Sequence, residues 1–265
     1  MHEEFQTIYQ NRIINELSRL SSGMATKDKF SGDHFIIGRH DLSIGGETWT
    51  SANMRVFDAL LLEAVKNNGE YAFLYTSNFA ELCGISKIVA RRQMIQTADI
   101  LNTIRNKEVS ELFNCKSHRG SIFIEFKGAF MDSITGNSGK GVMPFPLQLF
   151  RIDLNKYPQA YKYGRIITAR KFMNIGKTNE NIIRVKDLCG AGYDSKTCGG
   201  YERKILLPLL KNMDALQDIF SYKWKGSPPL TYAEFLKATF IIEWKAYPDS
   251  FDYVANRRNK RKDTA

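Results

Sequence analysis

Apolar positions recur every three or four residues over several long stretches of the chain and every second residue over several short ones, so helices and strands are mixed. Ala52 to Asn67 carries Val56, Leu60 and Ala64 with Phe57, Leu61 and Val65 alongside, and Asn68-Gly69 stops the helix that this pattern predicts. Ser77 to Cys83 predicts a short helix with Thr76 or Ser77 as N-cap and Gly84 as the turn residue; Ser86 then caps a longer helix reaching about Thr103. Leu112 to Cys115 and Ile122 to Lys127 predict two strands joined by Lys116-Ser-His-Arg-Gly120, a basic hairpin tip. Helix, short helix, longer helix and two strands is the order of a winged helix-turn-helix, whose third helix enters a DNA major groove beside a wing of strands.

The same order returns further along. Pro158 to Asn174 predicts a basic amphipathic helix, Ile183 to Cys189 a short one, and Tyr201 to Leu216 a long one with Ile205, Leu206, Leu209, Met213 and Leu216 on one face. Pro208 should kink that helix and leave its first turns at a separate angle. Phe220 to Lys225 and Thr239 to Trp244 read as paired strands. The predicted fold class is therefore α+β, two tandem winged helix-turn-helix domains at 51–134 and 145–250.

Three segments lie outside the two units. Within 1–50, residues 1 to 22 predict a helix through Phe5, Tyr9, Ile13, Leu17 and Leu20, which either packs on the first unit or pairs with another copy; His34 to Ile37 and Asp41 to Ile44 then form a connecting strand pair. Residues 135–144 lie in a Gly/Ser-rich stretch and read as a linker. Gly139-Lys140 there is no phosphate-binding loop, because no Gly stands five positions before Gly139 and Gly141 replaces the required Ser or Thr. The tail, 251–265, has five cations in the seven residues 256–262 and no apolar partner, so it should be disordered when free, as a DNA-backbone arm or a solubility tail.

Charge narrows the function. The chain has 38 Lys and Arg against 28 Asp and Glu, a net +10, and a pI near 9.3, which favours a polyanionic partner. No apolar run of eighteen residues and no signal-peptide pattern is present, so a membrane partner is not expected. Cys83, Cys115, Cys189 and Cys198 form no C-x-x-C pair and have no His at zinc spacing; they read as reduced cysteines of a cytoplasmic protein, with no metal and no cofactor.

Base-facing candidates are Lys87, Arg91 and Arg92 in the first unit and Lys196, Thr197, Arg203 and Lys204 in the second. Lys116, Arg119, Lys223 and Lys225 are phosphate candidates at the wings. Residue by residue these cations match a solvated helix face equally well; the excess charge tips the reading to double-stranded DNA. A nicking enzyme would need a His-hydrophobe-His metal cluster, and no two histidines stand two residues apart, so no catalytic residue is assigned.

The second unit resembles plasmid replication initiator (Rep) proteins of the tandem winged-helix, theta-replication type. The likeness lies in Pro146-Leu-Gln-Leu-Phe150, Tyr161-Lys-Tyr-Gly164-Arg165, Met173-Asn-Ile-Gly-Lys177 with Asn179, Val185-Lys-Asp-Leu188 and the stretch from Leu207 to Leu216. It covers about 145–250, and 51–134 by topology alone. The resemblance implies binding to direct repeats at an origin, opening of AT-rich DNA, recruitment of the host replicative helicase, and a homodimer that represses its own promoter while a monomer initiates. A winged-helix transcriptional regulator, bound to an inverted repeat, is the alternative.

Overall fold

The computed structural model describes residues 5–9, 14, 34–37, 40–43, 49–67, 71–106, 112–127, 142–189 and 200–246. The sequence readings for the tail, for 135–141, for Lys196 and Thr197, and for 10–22 apart from Ile14 fall outside them.

The chain begins with a correction. Phe5–Tyr9 is a strand, β1, where a helix is predicted. His34–Ile37 (β2) and His40–Ser43 (β3) pair as the antiparallel hairpin that the sequence suggests. Helix α1, Ser51–Lys66, starts at a capping box: Asn53 N–H donates to Thr50 Oγ1 and Thr50 N–H donates to Asn53 Oδ1 at 2.9 Å, so two orphan amides of the first turn are satisfied. Tyr71–Tyr75 (β4) runs straight into α2, Thr76–Cys83, so Tyr75, not Thr76 or Ser77, occupies the cap position. Gly84 closes α2 at φ 63°, the left-handed conformation that glycine takes at no steric cost. Ser86 accepts from Val89 N–H and starts α3, Lys87–Thr103.

After the two-residue strand β5, Arg105–Asn106, which pairs with β3, come β6, Phe113–His118, and β7, Ser121–Phe126. Their antiparallel ladder continues in β4, in the order β4-β7-β6. Val56, Leu60, Phe79, Ala90, Met94, Leu101, Phe113 and Ile124 fill the core that α1, α2, α3 and this sheet share. Asn102 fixes the sheet to α3: its Nδ2 donates to Cys115 O and its Oδ1 accepts from Cys115 N–H, both at 2.8 Å.

The second module begins earlier than predicted. Val142–Pro146 is a strand, β8, paired antiparallel to β1 with Ile8 opposite Met143, so residues 142–144 are sheet and not linker. A 3-10 turn, Leu147–Arg151, leads to α4, Ala160–Met173. Then follow β9, Ile182–Arg184, and α5, Val185–Cys189. Glu202–Leu206 is a π-helical turn, in which Leu207 N–H donates to Glu202 O, and it continues as α6, Leu207–Asp214. The expected break before Pro208 is thus a widened turn, and the proline falls in the first turn of α6, where its missing N–H costs nothing. Strand β10, Phe220–Trp224, helix α7, Tyr232–Lys237, and strand β11, Thr239–Trp244, complete a sheet ordered β10-β11-β9. Both modules are winged helices, and the fold is α+β.

The modules share a dry joint. Asp58 of α1 accepts from Arg165 Nε at 2.9 Å and from Tyr161 Oη at 2.8 Å, and the Asp58 and Arg165 side chains are wholly buried. Arg55 Nη1 donates to Phe150 O and Ile152 O at 3.2 Å each. Ser51 Oγ reaches Pro158 O at 2.8 Å. Arg55, Lys162 and Arg165 are buried, so part of the chain's positive charge serves the interior.

Candidate nucleic-acid interface

In the first module the helix-turn-helix is α2, Gly84 and α3. Ala90, Met94, Thr97, Ala98 and Leu101 turn one face of α3 inward, which leaves Lys87, Arg91 and Arg92 exposed on the other. Lys87 and Arg91 stand four residues apart and therefore project from the same side of the helix. Ile88, 84% exposed, and Ile95 lie among them. The sequence reading passed over both. The available signal was that neither isoleucine belongs to the 90-94-97-101 core stripe. An exposed apolar side chain on such a helix suits a thymine methyl group.

The wing is tighter than the sequence suggests. Its ladder closes on His118 opposite Ser121, so the turn is Arg119-Gly120 alone, at φ 30° and 93°. Two successive positive φ values match the right-handed twist of the flanking strands. Lys116, expected at the tip, is on β6 opposite Phe123 instead, because the pairing persists for two further residues. Thr76 N–H donates to Gly120 O at 2.8 Å and ties the turn to the start of α2. Between α3 and the turn lies a cleft of about 180 Å³ that brings Arg91 and Arg119 to one opening, with Ile95, Ser117 and His118 in its wall. Two guanidinium groups flanking an open cleft favour a phosphate between them.

In the second module Arg203 and Lys204 are exposed on the π-helical turn. Tyr201 packs edge-on against Phe235 of α7, with ring centroids 5.5 Å apart, and so braces that turn. Lys211 lies over the Tyr157 ring at 5.9 Å. Lys223 is exposed but ion-paired with Glu243 across the sheet, and its neighbourhood holds the Glu243 carboxyl below its usual range. Lys225 is exposed beyond the end of β10, where its N–H donates to Thr239 O. The structure thus brings Arg91 and Arg119 together, groups Arg203 with Lys204, and leaves Lys116 on the sheet away from the turn.

Among the described residues no group of three His, Cys, Asp or Glu could hold a metal ion, and no helix is long and apolar enough to cross a membrane. Burial pushes the Cys83 and Cys115 thiols up to about 12.

No protein-family model matches the sequence, and no curated protein matches it. Solved structures do match the fold. The chain is similar to a Pi initiator protein in complex with iteron DNA, with a TM-score of 0.56 and 12% identity over 94% of this chain and 100% of the other. It is also similar to domains 2 and 3 of RctB, with a TM-score of 0.51 and 8% identity over 88% of this chain and 99% of the other.

Proposed function

We propose that the chain is a replication initiator that binds repeated double-stranded sites at an origin of replication. The observation that carries this reading is the pairing of two winged helices joined by a buried ion pair, each with cations exposed on its third helix. The shared fold with a Pi initiator protein in complex with iteron DNA supports it over 94% of this chain and 100% of the other. Lys87, Arg91 and Arg92 read bases in one groove, and Arg203 and Lys204 do so in another; the sequence assigns Lys196 and Thr197 the same role. Arg119 and Lys225 hold phosphates at the wings, with a smaller share for Lys116 and Lys223. Binding of both modules to one duplex multiplies their separate affinities. Opening of AT-rich DNA, recruitment of the host replicative helicase and a repressing homodimer belong to the same proposal and rest on the resemblance to plasmid initiators.

Footprinting on the DNA that flanks the coding region, at low and moderate salt, tests the reading. Protection of several short direct repeats that weakens steeply with salt is the expected result, since phosphate contacts release counterions. Protection of a single inverted repeat would assign a transcriptional regulator instead, and absence of protection at low salt would remove the DNA-binding reading.

A further inference from the structure

The outer face of the β4-β7-β6 sheet carries a row of aromatic rings that duplex binding leaves unused. Alternation along β4 sends Ala72 and Leu74 into the core and turns Tyr71, Phe73 and Tyr75 outward, 39, 46 and 55% exposed. The register sets Phe73 beside Phe123 and Phe123 beside Lys116, while Tyr75 lies beside Ser121. The Phe73 and Phe123 rings are 4.7 Å apart, and Tyr71 lies 6.0 Å from the first and 6.2 Å from the second. The inner face of the same sheet packs on α1 and α3, so these rings point away from the recognition helix.

Charge around the rings is positive. Lys116 and Arg119 are exposed. The acid on this face, Glu125, accepts from Lys127 Nζ at 2.6 Å and from Asn114 Nδ2 at 3.1 Å, which neutralises it. A row of aromatic rings edged by cations is what unpaired bases and their phosphates require: each base offers a π-face to a ring, and the backbone tracks the cations. A duplex cannot use such a face, because its bases are already stacked on one another.

We propose that this sheet face binds single-stranded DNA, with bases stacked on Tyr71, Phe73 and Tyr75 and the backbone running past Lys116 and Arg119. The rings lie apart from the duplex interface on α3; Lys116 and Arg119 alone are shared with it, through the phosphate contacts of the wing.

Fluorescence anisotropy of the full chain with a labelled oligothymidylate of about twelve nucleotides, long enough to cross three stacking rings, is the test. Tyr71→Leu, Phe73→Leu and Tyr75→Leu keep apolar bulk on a strand but remove the π-face. Each should weaken oligothymidylate binding by about five-fold or more, with the thermal midpoint and duplex binding unchanged. Three results would overturn the proposal: no saturable binding by the wild-type chain at low salt, leucine variants that bind the oligonucleotide as the wild type does, or tighter binding of the matching oligouridylate. Sedimentation of the same variants adds a fourth. If they convert a wild-type dimer to monomer without changing oligonucleotide binding, the face joins two copies of the chain. Alanine at Lys87, Arg91 and Arg92 tests duplex binding separately, so either reading can fail alone.

Discussion

Asp58→Asn removes the charge that holds the two modules together while nearly preserving side-chain volume. In the native protein both Asp58 oxygens lie 2.9 Å from Arg165 Nε, Tyr161 Oη donates at 2.8 Å, and neither the Asp58 nor the Arg165 side chain touches water. Asparagine leaves the guanidinium buried without its counter-charge, and removing one member of a buried pair costs about 3–5 kcal/mol. For a chain of this size, at roughly 2–4 °C per kcal/mol, Tm should fall by about 6–20 °C. Burial pushes the Asp58 carboxyl above its usual range while Arg165 pulls it down, and for a buried ion pair the cost of desolvation offsets much of the attraction. The double variant Asp58→Leu, Arg165→Met should therefore recover part of the loss, the Tyr161 hydroxyl being left without its acceptor. Thermal and urea unfolding followed by circular dichroism would measure both effects. A single variant within about 1 kcal/mol of wild type, or a double variant less stable than the single, would refute the reasoning.

Gly164→Ala should lower stability by about 1–3 kcal/mol in urea unfolding, because a Cβ there would meet Leu149 Cδ2 at 2.3 Å and Leu216 Cδ2 at 3.0 Å. Arg119→Ala should reduce the salt slope of duplex binding by about one, whereas Lys223→Ala, already paired with Glu243, should change it less; gel-shift titrations over a salt series compare the two. With thiols pushed up to about 12 by burial, Cys83 and Cys115 hold almost no thiolate at pH 7, and peptide mapping after iodoacetamide should find them alkylated only once the chain is unfolded.

Local chemistry made much of the fold readable in advance. Gly84, the Ser86 cap and the apolar stripe of α3 are signals contained within a few residues, and the structure keeps each of them. Strand β1 was hidden because Phe5 and Tyr9 stand four apart, which fits a helix, while the partner that makes them a strand lies at 142–146. β4 gave no alternation to read, since Tyr71-Ala-Phe-Leu-Tyr75 is apolar throughout. Helix α7 was legible but missed: Thr231 and Glu234 form a capping box with the expected three-residue spacing. The candidate cations were picked out by charge alone. Their grouping was not, because the meeting of Arg91 with Arg119 depends on a turn one residue pair long, and the Asp58–Arg165 joint spans 107 positions.

Strand β1 also sets a timetable for synthesis. Its partner is translated long after it, and at 5–20 residues per second the interval between Ile8 and Met143 is on the order of ten seconds. During that time Ile8, wholly buried in the finished protein, lacks the cover of β8, and the β1 backbone groups that β8 pairs are unmatched. A chain paused on the ribosome before residue 142 therefore presents β1 without its partner, and the nascent protein stays open to mispairing there until β8 has been made.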